Sequence, residues 1–380
     1  MLATPVARCT PATGVRRVQG RQYAHRMKPA PPSNLIHAAL VERLASAQVG
    51  HADSRAGRLL ESLVEDAIGL VGDGNGVVDL KLVAAAFTEM RRALSVFRPW
   101  TGGPRKVTAF GSARTRPEEP VYKLAEDFGR AIAKAGFMVI TGAGPGIMGA
   151  VVDGAGAGKS FGVGIRLPFE QASHASLRDD PKLIEFKYFF TRKLFFLKEA
   201  AGVALFPGGF GTHDEGFETL TLVQTGKTRL LPIVCVDVPG GTYWHAWDRF
   251  VRDELLGRGL ISEDDLALYR ITHDVGTAVE EITGFYRVFH SMRTIRRTTV
   301  LRLNHPVDDV VLATLSREFA DILGGRPIRR VASMREESDE PETLHLPRIA
   351  LSFNLLRFGR LRMLVNRLNE LGGASPDPQA

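Results

Sequence analysis

The residues with the most chemical promise lie between 207 and 215, which read Pro-Gly-Gly-Phe-Gly-Thr-His-Asp-Glu. Gly208, Gly209 and Gly211 carry no side chain, so the backbone there can approach a ligand closely. Thr212 is expected to cap a following helix and to offer its hydroxyl to a phosphate. Asp214 and Glu215 then fall in the first turn of that helix. An acid is a poor anion binder, so its place beside a phosphate-shaped loop suggests work on a sugar or a water next to the phosphate. The competing reading is that these carboxylates merely complement the helix dipole and its free N–H groups.

Two more glycine-rich loops invite phosphate readings. Thr141 to Gly149 contains Gly144, Gly146 and Gly149 in the G-x-G-x-x-G spacing, between a strand and a helix, where an anion can meet a helix N-terminus. A dinucleotide site also wants an acid about 20 residues further on. Here the acid after the next strand is Glu170, late and beyond a proline, so a nicotinamide cofactor is disfavoured. The segment from Gly154 to Ser160 looks like a P-loop, but Asp153 stands where the first glycine is required. It also runs from a helix into a strand, the reverse of a P-loop, and reads as a turn.

These loops need a scaffold, and the pattern around them supplies one. From Lys106 short apolar runs alternate with helical stretches. Strands are expected at Val107–Phe110, Phe137–Ile140, Phe161–Ile165, Ile184–Tyr188, Gly202–Phe206 and around Cys235, with helices near 121–135, 192–201 and 212–224. That alternation means βαβ units and a parallel sheet covered on both faces. Before it, residues 35–100 read as helical. Leu59, Leu60, Leu63, Val64, Ala67, Ile68 and Val71 recur at helical spacing, and Asp73 to Gly76 breaks the pattern before a second amphipathic stretch. Asp73, Asn75 and Asp79 do not make a calcium loop, because Val77 occupies a ligand position and the sixth position lacks glycine. After Ser291 the chain is less regular. It has a helical stretch at 310–323, an acidic linker at 336–342, a strand-like 349–353 and a basic helix at 357–371.

The chain has 380 residues, with 44% hydrophobic and 24% charged residues and a net charge of +7. Arg8, Arg16, Arg17, Arg21, Arg26 and Lys28 precede the first acid, Glu42. Without those six the net charge falls to +1, so the body is nearly neutral and gives little reason to expect nucleic-acid binding. Residues 1–33 read as a disordered basic tail, or as an extension ahead of a start at Met27. No apolar run is long enough to span a membrane. Cys9 and Cys235 lie in unlike contexts, so no disulfide is expected and a reducing cytoplasm fits. The 10 histidines and 2 cysteines show no metal-ligand spacing.

The 207–215 segment is similar to the P-G-G-x-G-T-x-x-E signature of Lonely Guy (LOG) proteins, often labelled lysine decarboxylases. Arg192-Lys193 resembles that family's paired basic motif, and Gly144 to Gly149 its first glycine loop. Gly111 to Arg114, Pro168 to Gln171 and Leu220 to Lys227 resemble segments of the longer bacterial relatives. The resemblance covers about residues 105–290. It implies a Rossmann-like parallel sheet with helices on both faces, flanked here by a helical segment at 34–104 and a small C-terminal α+β module at 291–380. It implies hydrolysis of nucleoside 5′-monophosphates such as AMP, in some members cytokinin riboside monophosphates, to a free base and ribose 5-phosphate. Carried over, Glu215 is the catalytic carboxylate and Arg192 its basic partner, holding the phosphate or assisting the departing base. Ser112, Arg114, Gly144, Gly146, Lys193 and Asp214 join the glycine loop in binding substrate. Many relatives have two glutamates where Asp214 and Glu215 stand, which leaves the role of Asp214 open.

The resemblance further implies a homodimer or larger assembly and no cofactor; no lysine stands in a Schiff-base context for pyridoxal phosphate. Two rivals are kept. A nucleotide sensor on the same scaffold would need the glycine loop but not Glu215. An NAD(P) oxidoreductase would need an acid or arginine reading the ribose after the third strand.

Overall fold

The computed structural model describes residue 42, residues 55–166 and residues 174–373. The basic tail, Cys9, the region expected to be helical between 43 and 54, and Pro168 to Gln171 with Glu170 lie outside the described residues. The chain divides into two compact units, Met1–Leu80 and Lys81–Ala380. In the first, helix α1 (Arg55–Gly72) ends before the break at 73–76, where the Asn75 side-chain amide donates to the Leu70 carbonyl at 2.9 Å. Leu59, Leu63 and Ile68 on α1 are exposed. Helix α2 (Val77–Phe97) begins at the end of this unit and continues into the second. No described helix is long and apolar enough to cross a membrane.

The second unit is built on seven strands: β1 (Lys106–Phe110), β2 (Met138–Thr141), β3 (Ser160–Ile165), β4 (Leu183–Phe186), β5 (Ala200–Leu205), β6 (Ile233–Val236) and β7 (Tyr269–Thr272). They pair in parallel, in the order β4-β3-β2-β1-β5-β6-β7. Every residue of β1, β2, β5 and β6 is buried, the burial expected of parallel strands covered on both faces. The connecting helices are α3 (Pro120–Lys134), α4 (Ile147–Ala155), α5 (Phe189–Lys198), α6 (Phe210–Gln224), α7 (Tyr243–Phe250) and α8 (Val275–Gly284). Within this unit the end of α2 joins the core. Phe97 stacks on Phe161 at 4.6 Å and on Phe195 at 6.2 Å between ring centroids.

This is a Rossmann-like α/β sheet, and its order fixes where a ligand can go. From β1 the chain steps outward through β2, β3 and β4, then returns to place β5 on the other side of β1. The connections leaving β1 and β5 therefore diverge, and the crevice at their C-terminal ends is the switch point where such sheets bind ligands. The P-loop lookalike is a turn, with α4 ending at Ala155 and β3 starting at Ser160. Its Lys159 donates to the Ala133 carbonyl at 2.6 Å, in the last turn of α3, where a cation is favourable.

α3 and α4 approach each other through glycine. A Cβ on Gly154 would lie 1.8 Å from the Glu126 carbonyl oxygen, and one on Gly129 would lie 2.3 Å from that of Val151. Both obstacles are backbone, so neither can swing aside. Gly154→Ala should destabilise the protein by roughly 1–3 kcal/mol, the range for overpacking a close contact. A denaturant midpoint unchanged from wild type would show that the two helices can separate at no cost.

The C-terminal region is the expected α+β module, with three strands beyond the one that the sequence marked. β8 (Phe289–Ile295), β9 (Thr298–Leu303), β10 (Arg329–Arg330) and β11 (Arg348–Leu351) form an antiparallel sheet in the order β10-β11-β9-β8. Helices α9 (Asp309–Glu318) and α10 (Phe358–Gly372) accompany it. The acidic linker at 336–342 is mostly exposed but is anchored by one of its acids. Glu337 is fully buried between Arg302 of β9 and Arg348 of β11. The basic helix α10 buries Leu361, Leu364, Val365 and Leu368. Its Asn369 accepts from the amides of Val288 and Phe289 at 2.8 and 3.0 Å, which ties α10 to the start of β8.

Candidate active site

A cavity of about 870 Å3 opens over the switch point between β1 and β5. The β1 loop contributes Gly111, Ser112 and Arg114, and the β2 loop contributes Gly142 and Gly144. Arg192 comes from α5, Tyr243 from α7, and Gly208, Gly209, Gly211, Thr212, His213, Asp214 and Glu215 from the loop and helix after β5. Most of the residues singled out in the sequence are thus brought together. Gly146 and Lys193 do not line the cavity.

The glycine loop is held from several sides. The Ser112 amide donates to the Pro207 carbonyl at 3.1 Å. A Cβ on Gly208 would fall 2.1 Å from the Thr212 hydroxyl oxygen and 2.9 Å from the Ser112 nitrogen, so only glycine fits there. Helix α6 starts at Phe210 with Gly209 as its N-cap. Thr212 is therefore not the cap: it is buried inside the first turn, and its own amide donates to the Gly209 carbonyl at 3.1 Å. For the same reason Asp214 and Glu215 lie beyond the first turn, which contains no acid. The amides of Gly209, Phe210 and Gly211 have no acceptor among the described residues. Free N–H groups on a helix N-terminus attract an anion.

The first glycine loop serves differently from expectation. Gly146, at φ 67°, caps α4, and the Ile147 amide donates to the Ser112 carbonyl at 3.0 Å. The leading amide of α4 is spent on the β1 loop rather than offered to a phosphate. Gly146 is needed because a Cβ would lie 2.3 Å from that same carbonyl oxygen.

Glu215 is buried at the cavity wall. Burial pushes its pKa up to about 7, with Glu218 and Asp214 adding to the rise and Lys193 and Arg192 opposing it. The Lys193 ammonium stands 2.8 Å from Asp214, 2.8 Å from Glu218 and 3.9 Å from Glu215. Burial works against the Lys193 charge, but hydrogen bonds to Asp214 and Glu218, with Glu215 nearby, outweigh it and raise its pKa. Lys193 thus balances the acidic side of α6 from outside the cavity, a different position from the substrate contact expected of it. Arg192 Nε donates to the Val163 carbonyl at 2.8 Å, and its guanidinium lies 4.9 Å from the Phe196 ring centroid. A Cβ on Gly142 would meet the Arg192 guanidinium at 2.5 Å, so that glycine makes room for the arginine. The Ser112 hydroxyl accepts from the Arg114 amide at 3.1 Å, and Arg114 is exposed at the rim.

The cavity residues not named as site residues from the sequence include Gly142, Met148, Phe189, His213 and Tyr243. A signal existed for two of them. His213 occupies a variable position of the signature itself, and Tyr243-Trp244 is an aromatic pair just after the Gly240-Gly241 turn. At the position where a nicotinamide enzyme would read the ribose stands Arg166, and Glu170 lies outside the described residues. Arg166, at the end of β3, is engaged by Glu185 at 2.9 Å.

The parallel sheet, with a buried acid beside free helix-terminal amides at its switch point, is a Rossmann-like domain with a candidate anion site. Residues 148–282 match the family described as possible lysine decarboxylase. The matched segment contains Arg192-Lys193 and the 207–215 motif, on which the resemblance to the LOG family rests. No curated protein matches the chain. Among solved structures, the structural-genomics target TM1055 is similar at 23% identity over 46% of this chain and 96% of that one, with a TM-score of 0.34. The molybdenum cofactor binding protein of the phototrophic bacterium Rippkaea orientalis matches at 19% identity over 47% of this chain and 94% of that one, TM-score 0.34. DNA processing protein A of Helicobacter pylori matches at 14% identity over 47% and 80%, TM-score 0.33.

Proposed function

We propose that the protein hydrolyses the N-glycosidic bond of nucleoside 5′-monophosphates of the AMP type, releasing the base and ribose 5-phosphate. The observation that carries this reading is a buried carboxylate with its pKa raised to about 7, set on the same helix as three amides without acceptors. The amides at Gly209, Phe210 and Gly211 take the 5′-phosphate. The ribose then lies toward Glu215. As the bond to the base lengthens, positive charge builds on the sugar. The Glu215 carboxylate stabilises that charge and accepts a proton from the water that adds to C1′. The base departs with the electron pair of the broken bond and takes up a proton. Arg192, held against Gly142, supplies the fixed positive charge across the cavity. On this reading the enzyme works in the cytoplasm as a homo-oligomer and needs no cofactor.

A panel of nucleoside monophosphates, assayed for free base by chromatography, tests the reaction. AMP should be cleaved and adenosine turned over at least ~100-fold more slowly, since two or three charge-assisted hydrogen bonds to the phosphate are each worth about 1.5–3 kcal/mol. Equal turnover of adenosine and AMP would remove the phosphate from the reading. A protein that binds AMP and releases no base from any nucleotide is a sensor.

A further inference from the structure

His213 and Tyr243 lie 30 residues apart in sequence and meet beside the glycine loop, with the Tyr243 hydroxyl 2.6 Å from His213 Nε2. The same hydroxyl donates to the Gly208 carbonyl. Their rings stack at 5.8 Å between centroids with an interplanar angle of 24°. Resting on the reading that the start of α6 receives a phosphate, we propose that these two side chains form a positioning clamp that aims the loop's amides at the anion.

The hydrogen-bond count fixes the direction of the chain. A tyrosine hydroxyl has one proton, and here it is committed to the Gly208 carbonyl. The bond to His213 must then run the other way, with Nε2–H donating to the tyrosine oxygen. Burial lowers the His213 pKa, which favours the neutral ring; its proton is therefore on Nε2. In a planar trans peptide the C=O and the following N–H point in opposite directions. Tying the Gly208 carbonyl to Tyr243 therefore turns the Gly209 amide away from Tyr243 and fixes its direction.

The clamp has a rigid anchor. The Tyr243 amide donates to Asp237 at 3.0 Å, and the Asp237 carboxylate also accepts from Val238 at 2.8 Å. Next to it, the Trp244 indole donates to the Val236 carbonyl at 3.2 Å. Tyr243 is thus fixed to the end of β6, while His213 rides on α6. The pair locks the loop after β5 to both. No bond in this chain requires His213 to gain or lose a proton, which separates its role from that of Glu215.

The test measures ribose 5-phosphate binding by calorimetry on the full chain, with thermal unfolding as a second readout. Tyr243→Phe keeps the ring and removes the hydroxyl. His213→Leu removes the donor, and His213→Gln retains an amide that can donate to the tyrosine oxygen. Tyr243→Phe and His213→Leu should each raise the Kd about 10-fold, the loss of one oriented hydrogen bond, with melting midpoints within about 2 °C of wild type. His213→Gln should recover to within about 3-fold of wild type. A Kd unchanged in Tyr243→Phe, or a His213→Gln no better than His213→Leu, overturns the clamp alone. Melting midpoints that fall together with binding make the pair structural and also overturn it. A wild-type protein that does not bind ribose 5-phosphate removes the phosphate reading itself, and the clamp with it.

Discussion

Glu215→Gln is expected to lower kcat on AMP at least ~100-fold, the scale of a lost general base or electrostatic group. The substitution keeps the size of the side chain and removes its charge. The helix-terminal amides are untouched, so the affinity for AMP should change little. Because Glu215 lies beyond the first turn of α6, it is not placed to cap the helix, and losing its charge should not loosen the helix end. Near-normal turnover in this variant would remove the mechanism and leave a nucleotide-binding protein.

The same residue should set the pH dependence. Its pKa of about 7 in the folded state lies above the value near 4.3 of an unfolded glutamate. A base must be ionised, so kcat/KM should fall as pH drops below about 7. Stability moves the opposite way. Between the two pKa values the native state holds a proton that the unfolded state has released, so stability falls as pH rises through that window. Above pH 7 the wild type bears the cost of a buried charge. Glu215→Gln should therefore be more stable than wild type at pH 8, by an amount on the order of 1–3 kcal/mol, and similar to it near pH 4. Equal denaturant midpoints for the two proteins at both pH values would mean that Glu215 is not held at a raised pKa.

The α/β half was legible because its strands are buried on both faces. Runs such as Val203 to Leu205 read as strands without help from alternation, and the glycine loops mark their ends. The start of α6 was misjudged by two residues because threonine is the commoner signal for a cap, whereas here Gly209 serves and Thr212 lies inside. Apart from the strand expected at 349–353, the C-terminal sheet stayed hidden for a different reason. β8 is mostly half-buried and polar, from His290 to Arg293. Its hairpin turns through Arg296 at φ 56°, where Asn-Gly or Asp-Gly would have been the readable signal. The partners of the cavity were only half visible. The signature motif marks Glu215, but nothing local in the sequence brings Tyr243 to Gly208 or makes room for Arg192 at Gly142. Those contacts depend on which strand ends the topology brings together.

Glu337 carries the largest stability effect expected in the molecule. Arg302 of β9 and Arg348 of β11 stand directly opposite each other in register, a pairing that repels. Both are buried, and Glu337 lies between them with no exposed surface. Its carboxylate accepts from Arg302 Nε at 2.9 Å, from Arg348 Nε at 3.1 Å and from the Met334 amide at 2.9 Å. Burial alone would raise the Glu337 pKa, but the Met334 amide and the two guanidinium groups overcome it and hold the pKa below the usual carboxylate value. Stability from this site is therefore present above the unfolded pKa and is lost as pH falls through the lower folded value. Glu337→Gln leaves two buried arginines facing each other, Arg302 still paired with Glu340 and Arg348 with no carboxylate. It should cost about 3–5 kcal/mol, as breaking a buried pair from one side does. That is a large part of the 5–15 kcal/mol by which domains are typically stable. Replacing all three charges, as Arg302→Met with Glu337→Leu and Arg348→Met, should cost much less than the single change, because no buried charge is left unpaired. Denaturant midpoints at pH 7 distinguish the cases. A Glu337→Gln protein within about 1 kcal/mol of wild type would show that water reaches the two arginines.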